Sequence, residues 1–254
     1  MKRGIILLLI LLVGLTAVIL RVPNAAFGNS VILGPIGEIE LKTTLPDSPT
    51  EVNLYRVVGD ESIEGIGNTY PDYGKVRYNL PSEADAVKFA IKALERYGGL
   101  PEDAVLSKVQ TEYAEVIDTD TGKVVDREPT LIRVTFKRCI NGMPVIGPGG
   151  KIVIYIGDNG EVVDLTKIWR KLEYAGKVKI IPAKEAFEKL VKGEVMMKPM
   201  GRLKLKVTDV EMGYYAAGFG KKQEYYTPVW IFHCKDHLGN NVTLAVKAAG
   251  GEDF

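Results

Sequence analysis

Two segments of this chain carry a helical period, and the other patterned stretches alternate apolar and polar residues as strands do. In the first, 82–97, Ser82 stands as N-cap with Asp85 at the capping-box position, and Ala84, Val87, Ile91 and Leu94 recur on one face. Gly98 and Gly99 end it. In the second, Pro182 suits the first helical position and Ala183, Ala186, Phe187, Leu190 and Val191 share a face, with Gly193 at the close. Strand patterns follow each helix. Ile132, Val134 and Phe136 alternate with Arg133, Thr135 and Lys137, and Asn159-Gly160 between two apolar runs predicts a tight hairpin. After the second helix come 203–215, 225–234 and 242–248. Helix then strands, twice over, predicts an α+β fold of two tandem helix-plus-antiparallel-sheet units, 82–178 and 179–254. Units of this size bury little apolar surface alone, so the two are expected side by side.

The N-terminus reads differently. Lys2 and Arg3 precede an unbroken apolar run over residues 4–20, closed by Arg21. It has no polar face and lies at the lower length limit for a bilayer span, so 1–28 reads as a signal peptide or a signal anchor. Ala26 and Gly28 are small residues suited to cleavage, whereas Arg21 suits a retained flank. Either reading exports the rest of the chain, to the cell membrane as a single-pass protein or beyond it as a secreted one. Residues 29–81 are rich in Gly and Pro, hold one credible strand at 52–58, and read as a stalk with a strand-and-loop lead-in.

Composition excludes several function classes. Lys+Arg 33 against Asp+Glu 32 leaves no field for nucleic acid, and removing the N-terminal segment tips the exported body slightly acidic. Two histidines, His233 and His237, and two cysteines, Cys139 and Cys234, leave little for acid–base or metal chemistry. His233, Cys234, Asp236 and His237 form the one grouping of metal-ligand types, with Cys139 or Asp236 to complete a tetrahedron. Neighbours on a strand point to opposite faces, so solvated residues at a strand end are the better reading. No phosphate-loop spacing and no paired carboxylates stand out, so no catalytic residue, metal or cofactor is assigned. Export makes Cys139 and Cys234 candidates for a disulfide between comparable strand ends of the two units. Tyr214, Tyr215 and Tyr225 flank the loop 216–223, which carries Phe219. They read either as cross-strand packing or as a protein-contact surface.

The helix AKEAFEKLV, the run 210–215 ending in Tyr214-Tyr215, and Tyr226, Pro228 and Trp230 before a return strand together resemble the YycI/YycH-type regulatory proteins and related PepSY-like domains. The first unit adds the run 141–147, Asn159-Gly160 and Val162-Val163. The resemblance covers about 82–250. It implies two PepSY/YycI-like units in a non-catalytic, exported or membrane-anchored protein that binds and modulates a cell-surface protein partner, such as a sensor histidine kinase. Inhibition of a secreted peptidase is the alternative it implies; an exported enzyme with an unrecognised site is the third.

Overall fold

A computed structural model describes residues 31–67, 78–199 and 201–250. Strands β1 (Val31–Gly34), β2 (Gly37–Leu41) and β3 (Glu51–Asp60) precede helix α1 (Glu83–Leu94). Then come β4 (Ala104–Ile117), β5 (Val124–Ile140), β6 (Met143–Ile146), β7 (Lys151–Ile156), β8 (Val162–Ile168) and β9 (Arg170–Lys179). Helix α2 (Ala183–Val191) and strands β10 (Leu203–Tyr215), β11 (Tyr225–Lys235) and β12 (Asn241–Lys247) complete the order.

Both helices start where their first N–H groups find acceptors. The Ser82 hydroxyl accepts from the Asp85 backbone N–H at 3.1 Å and donates to the Asp85 carboxylate at 2.7 Å. Pro182 is the N-cap of α2 and has no side chain able to cap. The Ser48 hydroxyl, reaching in from the N-terminal segment, takes the Ala183 N–H at 2.8 Å instead. Helix α2 buries Ala183, Ala186, Phe187 and Leu190, the face its spacing predicts. Helix α1 is turned from its predicted face: Ala86, Ala90 and Leu94 are buried, whereas Ala84 and Ile91 are exposed. Two alanines at i and i+4 let α1 lie close against the sheet.

The α+β expectation of two tandem units is corrected by the sheet. The fold is mostly β, with two short helices set on one continuous hydrogen-bonded system of twelve strands. Its main path runs β8-β7-β5-β6-β10-β11-β3-β9, with β4 beside β5, β12 beside β11, and β2 and then β1 beside β10. The path nearly closes on itself as an eight-strand barrel. Its end strands, β8 and β9, are separated by the single residue Trp169. The chain leaving β3 clamps this joint: Glu61 N–H donates to the Trp169 carbonyl at 2.8 Å, and Ile63 and Lys167 exchange backbone bonds at 2.6 and 2.9 Å.

Two pairings escape a tandem antiparallel scheme because they are parallel and long-range. Leu203–Val207 of β10 runs beside Gly37–Leu41 of β2, and Tyr214-Tyr215 runs beside Val145-Ile146 of β6. The stretch read as a stalk and lead-in thus supplies three strands, and Ile39 at its centre is fully buried. Apolar side chains gather chiefly on two sides. Ile132, Val134 and Phe136 face Ile156, Ile154 and Ile152 in register, covered by α1 and joined by Trp169. Ile36, Ile39, Leu205, Val207, Trp230 and Phe232 pack beneath α2.

The hairpin at Asn159-Gly160 forms between β7 and β8. Residues 157–161 make a short 3-10 turn in which Asn159 (φ 54) and Gly160 (φ 80) are both left-handed. Asn79 braces the turn: its backbone N–H donates to the Asp158 carboxylate at 2.7 Å and its side-chain amide to Asn159 Oδ1 at 2.7 Å.

Among the described residues no helix is long and apolar enough to cross a membrane. The described residues thus give the transmembrane reading, and the single-pass or secreted placement drawn from it, no supporting helix. The run 4–20 behind that reading, and the choice between signal peptide and anchor over 1–28, lie outside the described residues.

Candidate partner-binding surface

Strands β10 and β11 form the hairpin that carries the loop 216–223. Its register sets Tyr214 opposite Pro228 and Tyr215 opposite Thr227. Tyr214 is fully buried and cannot touch a partner; its hydroxyl donates to the Asn53 carbonyl at 2.7 Å, and its ring meets Tyr55 edge-on at 5.5 Å. Burial first, then Tyr55, pushes the Tyr214 hydroxyl pKa up. Tyr215 and Tyr225 are half-buried, and Phe219 at the loop tip is 43% exposed. Of the four aromatics singled out in the sequence, one is thus core, two line the loop's base, and one projects.

The loop is fixed from beneath by an arginine that no sequence motif marks. Arg170, 2% exposed, donates to the carbonyls of Ala217 (2.7 Å), Gly218 (3.0 Å) and Lys221 (2.8 Å), and to Gln223 Oε1 (3.3 Å). Gln223 also accepts from the Ala217 N–H at 2.7 Å and donates to the Tyr215 carbonyl at 2.9 Å. Carbonyl dipoles replace the water a buried guanidinium loses. Arg138 continues the network. It pairs with Asp103 at 2.5 Å, donates to the Arg170 carbonyl at 2.6 Å, and lies over the Trp169 and Tyr226 rings at 5.0 and 5.5 Å.

The grouping read as metal-ligand types does not converge. His233 Nε2 lies 2.7 Å from Glu211 Oε1. Asp236 is engaged by its own turn, accepting from the backbone N–H groups of Leu238 and Asn240 and from the Asn240 side chain. Among the described residues no group of three or more His, Cys, Asp or Glu side chains is placed to hold a metal ion. Cys139 and Cys234 are both free thiols, so the disulfide suggested for them is not formed. Burial in the α2 core raises the Cys234 thiol pKa to about 12, which keeps it protonated and unreactive.

Residues 69–249 match the family described as YycI protein, and the chain belongs to that family. It is a regulatory, protein-binding domain without catalytic activity. No curated protein matches the chain. One similar solved structure is the crystal structure of an uncharacterized protein from Eubacterium rectale. It has 10% identity and a TM-score of 0.39 over 88% of this chain and 92% of that one, a likeness too weak to bear on function.

Proposed function

We propose that this protein binds and modulates a protein partner, a sensor histidine kinase in a membrane-associated regulatory complex, and that Phe219, Tyr215 and Tyr225 make the contact. The observation that carries the proposal is the aromatic tip held on a fixed base. Phe219 projects from a loop in which three carbonyls and one side-chain amide are bound by Arg170. A loop already ordered loses little conformational entropy on docking, and an exposed aromatic supplies the anchor that dominates most interfaces.

A photo-crosslinking residue placed at Phe219 of the full-length chain, in cells, tests this reading. The expected product is a crosslink from position 219 to a sensor kinase, lost when the label sits instead at the distant, exposed Val125. Capture of a secreted peptidase would favour the inhibitor reading and overturn the kinase. Crosslinks from 125 with none from 219 would overturn the contact surface.

A further inference from the structure

On the opposite side of β10 from the α2 core, β5, β6, β7 and β12 border a cleft of about 360 Å³. That is a small-molecule size. Val145, Ile146, Pro148 and Met197 give it an apolar lining, and its charged side chains are Lys137 and Lys151. None of the lining residues is acidic. The two lysines are direct cross-strand partners on β5 and β7, and the next strands outward place Val105 beside Lys137 and Ile168 beside Lys151. Like charges facing each other across a strand pair oppose folding. Lys151 is also partly desolvated, whereas Lys137 is exposed. Burial, and then Lys137, lowers the Lys151 pKa.

We propose that this cleft binds a small amphiphile whose anionic head, a carboxylate or a phosphate, bridges Lys137 and Lys151 while its apolar body lies on Val145, Ile146, Pro148 and Met197. The lining selects for that chemistry at both ends. A neutral apolar ligand leaves two facing ammonium groups uncompensated. A cation adds a third like charge. An anion removes the repulsion and makes charge-assisted hydrogen bonds to both Nζ groups. The cleft adjoins the loop 216–223, since Pro148 lies against Gly218 and Gly147 against the Tyr215 ring, but the proposal does not depend on which protein partner the loop contacts.

Calorimetric titration of the full-length chain with 4-phenylbutyrate, 4-phenylbutyl phosphate, 4-phenylbutanol and 4-phenylbutylamine tests the proposal. At least one anion is expected to bind about tenfold or more tightly than the alcohol, with the amine weakest. The stronger of the two anions identifies the head group. Lys137→Gln/Lys151→Gln should abolish the preference for the anion. Lys151→Met alone should weaken anion binding about tenfold without lowering the melting temperature, since it removes one of two facing charges. That unchanged or raised melting temperature separates loss of the site from loss of the fold. Equal binding of alcohol and acid, an anion preference that survives the double substitution, or no binding by any of the four probes would overturn it.

Discussion

Arg138 and Lys167 lie on the inward faces of strands that otherwise present Phe136, Ile140, Leu165 and Trp169 to the core. Each is held by a short list of acceptors: Asp103, the Arg170 carbonyl and Tyr226 for Arg138, and the Tyr97 carbonyl at 3.1 Å for Lys167, with Glu61 at 3.8 Å. Neither was singled out from the sequence, although each shares the strand parity of its buried neighbours. Arg170 breaks that parity by following the buried Trp169. Its acceptors lie some fifty residues downstream, where no local pattern reaches. Gly160 is the opposite case, legible in sequence and then constrained further by packing. Its φ is 80°, and a Cβ there would stand 2.5 Å from Phe89 Cε2. Gly160→Val is expected to lower stability by about 2–4 kcal/mol, read from urea unfolding at unchanged far-ultraviolet signal. Acid sensitivity is also a residue-scale property. Lys88 lowers the Asp85 carboxyl pKa, the Thr121 hydroxyl that of Asp118, and the Asn240 side chain that of Asp236. A depressed carboxyl stabilises the fold above its ordinary value of 3.8 and loses that contribution as pH falls through the lower folded value. Stability should therefore drop on acidification below about pH 4. Asp236→Asn should make that drop shallower, as measured by melting temperature across an acid series.

At the scale of elements, local signals marked most elements that follow α1 and missed two of the three strands before it. Both helices, the β7–β8 hairpin and the alternation of β5 follow from caps, turn residues and period. Strands β1 and β2 are four and five residues long and sit among Gly and Pro, so their spacing looked like lead-in. What makes β2 a strand is distant. It pairs in parallel with β10 and drives Ile36, Ile39 and Leu41 under α2. Gly37 is needed there because a Cβ would meet the Leu203 carbonyl oxygen at 1.9 Å. Ile39→Ala is expected to cost about 2–5 kcal/mol, the loss for emptying a core site. A melting temperature within a degree of the parent would show that β2 is an accessory strand.

At the scale of the molecule, the two tryptophans report the question that the sheet answers. Trp169 lies in the core beneath α1 and Trp230 in the core beneath α2, where its indole N–H donates to the Ile181 carbonyl at 2.9 Å. Tandem units would unfold separately. A sheet that runs from β5 through β6 to β10, and from β8 through Trp169 to β9 and β3, couples both cores through backbone hydrogen bonds. Trp169→Phe and Trp230→Phe each leave one tryptophan. Their denaturant curves, compared at matched stability, should overlay as one transition. Two separated midpoints would restore independent units. The tandem reading arose because helix-then-strands is a statement about order along the chain, whereas the pairing of β10 with β2 and β6 depends on contacts more than sixty residues apart.

The joint at Trp169 has a mechanical meaning. Most proteins with two cores connect them by a loop, which absorbs displacement as a slack rope does. Here β8 and β9 meet with one residue between them, and the chain following β3 is laced across the joint by backbone bonds. The spliced strand behaves as a stiff beam fixed into both sides of the sheet. Arg170, the first residue past the splice, grips the loop that bears Phe219. A pull or twist applied at that loop is therefore carried through the beam to the α1 side of the molecule as load rather than being lost as slack.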